Sequence, residues 1–216
     1  MRSGIAVGVP LTILQLGLHS QPEVHVDALT VMNNFLLGVA IYDADRIEGP
    51  LWSRERLPSQ ICASLSFLFY LSSDGGMEWL AVVVMILHLQ YTNMKPAIAP
   101  IKPYFVAALW TIATYFTPLW RAHAPFHDVL SPSALFLSIA ALSHAADIVD
   151  IEEDREAGIC TPAVRMGRRE ASHYAIAAAF AACFVHQCSP AANNLYDCAT
   201  LVFLGGLLAW QKERPS

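Results

Sequence analysis

The sequence predicts an all-α fold: about eight transmembrane helices bundled into one integral membrane domain, residues 1–216. Three observations carry this reading. Hydrophobic residues make up 55% of the chain and charged ones only 14%, whereas a soluble domain carries roughly 25% charged residues. Apolar runs of near-spanning length recur from one end to the other. The basic residues fall almost entirely on one side of the bilayer that those runs define. A backbone crossing lipid must satisfy its own hydrogen bonds, which makes the runs helices.

In order, the runs are 4–18, 28–42, 60–71, 79–89, 104–120, 130–146, 174–187 and 195–210. Several are shorter than the roughly 20 residues that cross a bilayer, so flanking polar residues are expected to lengthen them. The first contains Pro10 and shows no small-residue cleavage site, and it reads as a span rather than a signal peptide. The second carries Asn33 and Asn34 in mid-helix, where amides hydrogen-bond between helices. It ends in Tyr42-Asp43-Ala44-Asp45-Arg46-Ile47-Glu48. The fourth leads into Tyr91-Thr92-Asn93-Met94-Lys95, and Lys102 stands just before the fifth. The sixth runs directly into an aspartate series beginning at Asp147. Cys188 and Cys198 flank the loop between the last two and could pair in an oxidising compartment. With no CxxC pair and no metal-type spacing to histidine, all five cysteines read as small apolar packers.

With the N-terminus on the cytoplasmic (or stromal or matrix) side, all of the 13 Lys and Arg residues except Arg121 lie on the inner face. Removing or adding one helix destroys that asymmetry, and a soluble bundle has no reason to show it. The acidic and lysine-bearing loops then share the same inner face. The formal net charge of −5 leaves no basic surface, which excludes nucleic acid as a partner and points to the lipid bilayer instead.

The chemistry is concentrated in Asp147-Ile148-Val149-Asp150-Ile151-Glu152-Glu153-Asp154-Arg155, followed by Gly158, Thr161, Arg165 and Gly167. Asp147, Asp150 and Asp154 are spaced i, i+3, i+7 and share one face if the helix continues. Three stacked carboxylates can hardly all stay ionised without a cation, and Mg²⁺ takes such oxygen ligands and shares them with phosphates. The plainer alternative is a solvated, acid-rich helix end. Acids at two helix ends, with lysines between, suit a polyphosphate held through bridging metal ions. Among His88, His144, His173 and His186, His144 is best placed to support the acids, lying three residues before Asp147. The others suit a carbonyl-bonded structural role or ligation of a haem or chlorophyll.

The series Asp-Ile-x-Asp-x-x-x-Asp-Arg-x-x-Gly-Ile-x-Thr-Pro-x-Val-Arg-x-Gly at 147–167 resembles the second aspartate motif of the UbiA superfamily of intramembrane prenyltransferases. Tyr91-x-x-x-Lys95 with Lys102-Pro103-Tyr104-Phe105 is similar to that family's Tyr/Lys segment, and the motifs follow helices two, four and six, as in the family. The resemblance implies a UbiA-like bundle that ionises an isoprenyl diphosphate with Mg²⁺ and transfers the prenyl group to a lipophilic, usually aromatic, acceptor. It implies Asp45, Asp147, Asp150 and Asp154 as metal ligands, with Asp154 alternatively a partner for Arg155. It implies Asp147, Asp150 and Lys102 as catalytic, and Arg46, Tyr91, Lys95, Lys102 and Arg155 as substrate contacts. Tyr91, Tyr104, Trp110, Tyr115 and Phe116 offer ring faces to a carbocation.

Two features depart from the family pattern. Its first motif is usually Asn-x-x-x-Asp-x-x-x-Asp, but the positions four and eight after Asn34 are Gly38 and Tyr42. The acids come later, as Asp43, Asp45 and Glu48. Family members usually have nine helices, against eight read here. Two further readings therefore stand beside the transferase. One is a terpene cyclase on the same scaffold; the other is a non-catalytic subunit with partners in a larger membrane complex.

Overall fold

The computed structural model describes residues 28–46, 57–72, 78–121, 123, 126, 128–190 and 192–212. Helices account for nearly all of them: α1 Ala28–Arg46, α2 Leu57–Leu71, α3 Glu78–Ile98, α4 Lys102–Thr111, α5 Thr117–Arg121, α6 Leu130–Val149, α7 Ile151–Glu156, α8 Pro162–Met166, α9 Arg168–Gln187 and α10 Asn194–Lys212. No strand occurs among the described residues. The all-α expectation therefore holds. Seven of the eight apolar runs coincide with helices, and the run at 4–18 lies outside the described residues.

Three boundaries differ from the sequence reading. The runs at 79–89 and 104–120 were expected as separate spans. Helical structure instead fills the interval, with only the 3₁₀ turn Ala99–Ile101 between α3 and α4. Pro100 lies within this turn and Pro103 just after it; each lacks the N–H that would carry a regular helix through. The run at 174–187 begins six residues earlier, at Arg168, because Gly167 with φ +82° sets the start of α9. Finally, α6 stops at Val149 instead of continuing through the aspartates.

Among the described residues, two helical stretches are long and apolar enough to cross a membrane, Asn93–Trp120 and Leu130–Val149. Ala28–Ala40, Leu57–Leu71 and Asn194–Ala209 are apolar but shorter. The first of the long stretches includes a π-helical turn, Ile112–Phe116, in which the Thr114 hydroxyl donates to the Trp110 carbonyl at 2.7 Å.

The chain forms two compact units. The first comprises Met1–Met94 and Thr117–Pro125. Within it α1 packs on α2. The buried stripe of α2 is Ser59, Ala63, Ser66 and Tyr70, and that of α1 includes Thr30, Asn33, Asn34, Leu37 and Ala40. These are largely small or polar residues, which let helix backbones approach where no hydrophobic effect drives association. The outward positions are the greasy ones: Leu29 and Met32 on α1, Ile61, Leu65 and Leu68 on α2. Greasy outside and small or polar inside is the arrangement lipid requires.

The second unit comprises Lys95–Phe116 and Phe126–Ser216. Helix α6 is its axis and packs against α4, α9 and α10. Ala141 and Ala145 of α6 meet Ala175 and Ala179 of α9, with Leu204 of α10 closing the cluster. Helix α9 offers Ala171, Ala175, Ala179 and Ala182 at 0% exposure on one face, while Phe180 and Phe184 lie on the other, 62% and 72% exposed. Without that alanine stripe α9 could not sit against α6.

The start of α6 is fastened by Asp128. Its carboxylate accepts from the Leu130 N–H at 2.8 Å, the Ser131 N–H at 3.1 Å and the Ser189 hydroxyl at 2.7 Å. The Ser131 hydroxyl donates to it as well. This ties the first turn of α6 to the end of α9. Nearby on α10, Tyr196 and Thr200 hydrogen-bond the Ser138 hydroxyl at 2.7 and 3.2 Å. His186 meets Asp197 at 3.0 Å. All five cysteines are free thiols, so the loop between Cys188 and Cys198 is held by these polar contacts and not by a disulfide.

Two outcomes follow from this packing. Replacing Ala175 with Leu forces extra volume into the α6–α9 contact and should cost about 1–3 kcal/mol, read as a lower unfolding temperature in detergent. Burial alone would raise the Asp128 pKa, but the hydrogen bonds from Ser131, Ser189 and two backbone N–H groups outweigh it and hold the carboxyl below its ordinary value. A folded-state value below the unfolded one of about 3.9 contributes stability that is complete above that value. It is lost as pH falls through the lowered one. Asp128→Asn should therefore flatten the acid limb of the unfolding temperature against pH, and an unchanged limb would discount this network.

Candidate functional site

The aspartate series occupies the end of α6, away from Asp128. Asp147 follows Ser131 by 16 helical steps, which places them roughly 24 Å apart along the axis. The helix breaks at Asp150, whose φ of −102° and ψ of 7° leave the helical region. Its N–H bonds back to the Asp147 carbonyl at 3.1 Å, and the Asp154 N–H then bonds to the Asp150 carbonyl at 2.8 Å, restarting the helix as α7. The i, i+3, i+7 spacing therefore spans a joint and not one continuous helix. All three acids nevertheless turn inward: Asp147 is 2% exposed, Asp150 and Asp154 each 4%. A solvated acid-rich helix end, the plainer sequence reading, does not describe them.

The rest of the motif is the scaffold that holds α7 in place. Gly158, with φ +69°, lets the chain reverse after α7. The Gly158 N–H bonds to the Arg155 carbonyl at 3.1 Å and the Ile159 N–H to the Asp154 carbonyl at 2.7 Å. That paired pattern is the Schellman close of a helix. Three residues later Thr161 caps α8, its hydroxyl accepting from the Val164 N–H at 3.4 Å, with Pro162 following in the first turn. Thr and Pro in this order are the residues a helix start favours. Gly167, again at positive φ, separates α8 from α9. Ile148 and Ile151, flanking Asp150, pack with Ala163 and Ala171 and pin the joint to α8 and α9.

Lys102 meets the acids from α4. It is the first residue of that helix, and its ammonium lies 2.7 Å from Asp147 Oδ1, with the two side chains only 9% and 2% exposed. The other carboxylate oxygen, Asp147 Oδ2, is buried with no hydrogen-bond partner. One turn earlier His144 is fully buried, both ring nitrogens likewise without a hydrogen bond. Its ring packs edge-on against Tyr174 at 4.8 Å and Tyr104 at 5.6 Å, and the two tyrosine hydroxyls bond each other at 2.7 Å. The sequence placed His144 beside the acids; it gave no sign of Tyr174, which comes from α9.

The other residues named from sequence distribute as follows. Lys95 is half-buried in the last turn of α3. Arg155 is 55% exposed and pairs with Glu152, so it faces away from the buried Asp154 of the same short helix. Trp110 and Tyr115 are buried and Phe116 is half-buried, with Tyr115 and Phe116 edge to face at 5.3 Å. Asp45 and Arg46 belong to the last turn of α1 and Tyr91 to α3. The side chains of all three lie outside the described residues, as does Glu48.

Among the described residues no group of three His, Cys, Asp or Glu side chains converges as a closed metal centre would. Buried carboxylates still have the donor chemistry of a hard cation. Mg²⁺ is commonly held through one or two carboxylates, with phosphate oxygens and water completing its shell, and Asp147 Oδ2 is an oxygen available for that purpose.

Helices with apolar outer faces around a buried acid–lysine cluster define an intramembrane protein whose polar chemistry sits at a helix end. Residues 59–214 match the UbiA prenyltransferase family, and the chain belongs to that family of membrane prenyltransferases. The match takes in Tyr91, Lys95, Lys102 and the whole aspartate series; it begins after Asp45 and Arg46. No curated protein and no solved structure matches the chain.

The caps make a stability test. Gly158→Ala introduces a side chain at positive φ with no neighbouring atom in its way, so its cost is conformational, about 1 kcal/mol. Thr161→Ala removes a helix cap and should cost a similar amount, about 1 kcal/mol. Thermal unfolding of the two variants checks both.

Proposed function

We propose that the chain is a Mg²⁺-dependent prenyltransferase that ionises an isoprenyl diphosphate and transfers the prenyl group to a lipophilic, aromatic-type acceptor within the bilayer. Membership of the family supports prenyl transfer in general. The observation that carries the finer reading is the buried contact of Lys102 with Asp147, beside two further buried acids.

The reaction breaks the allylic C–O bond heterolytically. The electron pair leaves with the diphosphate, the allylic cation forms a bond to the acceptor, and the acceptor gives up a proton. Bound Mg²⁺ would neutralise charge on the departing oxygens. Asp147 and Asp150 would hold it, with Asp154 as a further ligand. Lys102 places a fixed positive charge near the acids, where it can stabilise charge developing on the diphosphate. Lys95 and Arg155 are assigned to substrate binding in the same unit as the aspartates. Burial matters as much as charge, because water at this point would quench the cation. Trp110, Tyr115 and Phe116 are rings available to the cation along α4 and the π turn. The motif-bearing ends lie on the cytoplasmic, stromal or matrix side of a multi-pass protein.

Purified protein with Mg²⁺ and geranylgeranyl diphosphate, or a shorter homologue, should be stabilised. At 100-fold excess over Kd, ligand binding contributes about 2.7 kcal/mol, which raises the unfolding temperature of a chain this size by roughly 5–10 °C. Asp147→Asn and Asp150→Asn should each lose that rise and lower product formation by about 100-fold or more. Stabilisation by no isoprenyl diphosphate in the presence of Mg²⁺ sinks the proposal.

A further inference from the structure

His144 is a buried polar group that the proposed reaction leaves unused. It is 0% exposed, and neither Nδ1 nor Nε2 has a hydrogen-bond partner. Holding an imidazole away from water without a hydrogen bond costs free energy, and ionisable residues within membrane helices mark functional sites.

The groups around it suit a flat ring. Tyr104 of α4 and Tyr174 of α9 both pack on the imidazole, with ring centroids 5.6 and 4.8 Å away and planes inclined at 79° and 60°. Their hydroxyls bond each other at 2.7 Å, so the pair reaches from α4 to α9 beside α6. Both tyrosines are partly exposed, whereas the imidazole they enclose is not. One neutral hydrogen bond joins the two rings, and side chains exposed in this way change rotamer within nanoseconds. Access to His144 therefore requires only that the pair part.

Position and chemistry both favour the acceptor. His144 precedes Asp147 by three residues, and side chains at that spacing are neighbours on a helix surface, with about 5–6 Å between Cβ atoms. A ring held by His144 is thus next to Asp147, where the proposed reaction frees the allylic cation. Neutral imidazole has one N–H donor and one lone-pair nitrogen. A phenolic hydroxyl donates and accepts, and can satisfy either; an aryl ether only accepts. Tyrosine rings also attract a further aromatic ring, stacked or edge-on.

We infer that Tyr104, His144 and Tyr174 form the acceptor site, and that its occupant is a hydroxylated aromatic ring whose hydroxyl bonds the His144 imidazole. The tyrosines exchange their mutual hydrogen bond for contact with the arriving ring. The inference rests on the prenyl-transfer reading and adds to it the place and chemical class of the acceptor. It asks hydrogen bonding of His144 and assigns it no proton transfer.

The test uses the full chain in detergent, with 1-naphthol and 1-methoxynaphthalene as probes and unfolding temperature as the readout. Wild type should bind the naphthol about fivefold or more tightly than the ether. His144→Phe keeps a ring in place but loses both nitrogens, and should bind the two probes equally. Stabilisation by geranylgeranyl diphosphate with Mg²⁺ should be the same in both proteins. A wild type without the preference, or a His144→Phe that retains it, overturns the inference and leaves the prenyl-transfer reading standing. Loss of the diphosphate response in His144→Phe alone also overturns it, by placing His144 in the diphosphate site. Absence of that response from wild type overturns both readings. Should His144→Phe fail to fold, Tyr174→Ala decides: losing the ring should weaken 1-naphthol binding about fivefold, and unchanged affinity overturns the inference.

Discussion

A carboxylate withdrawn from water must have a cation within reach, and at the end of α6 that cation is Lys102. The pair sets demands on the rest of its unit. Helix α4 must begin where its first residue can touch Asp147, and α6 must end where Asp147 is shielded by neighbouring helices. The 3₁₀ turn and its prolines meet the first demand. The alanine stripe of α9, which brings that helix close along α6, meets the second. An ion pair in this position adds little net stability over an apolar pair of equal volume. Its presence is better explained by chemistry than by folding.

Polar groups in this protein are found where helices meet and hydrophobic ones where they face outward. In the first unit Asn33, Ser59 and Ser66 are buried while Leu65 and Leu68 are exposed. In the second, Ser138, Tyr196 and Thr200 bond one another between α6 and α10 while Val202 is 69% exposed. In water such a surface would drive aggregation. In lipid it is simply the solvated face, and hydrogen bonds between helices contribute to association where tails already solvate leucine.

Much of this was legible in the sequence, for identifiable reasons. Apolar runs and the bias of Lys and Arg reveal helices because both signals are local or additive along the chain. The aspartates were legible because three acids beside a long apolar run have no ordinary explanation. Gly158, Thr161 and Pro162 stood in the motif as names without reasons; the structure makes them a helix close, a cap and a first-turn proline. The break at Asp150 was hidden, since Ile-Val-Asp-Ile contains no glycine or proline to announce it. The link between Asp128 and Ser189 was hidden for another cause: 61 residues separate them, and no periodicity reports a contact at that range. The same holds for Tyr174 beside His144, because a tyrosine on an apolar helix looks like any interfacial ring.

The joint at Asp150 separates two jobs that an unbroken helix would merge. On a continuous helix the reach from Asp147 to Asp154 is dictated by pitch alone. Here it depends on a single pair of backbone torsions, those of Asp150, with α7 anchored independently by its own termination at Gly158. The separation of the two acids can thus be adjusted over evolutionary time by altering one knuckle, without lengthening or retilting the rod that crosses the bilayer.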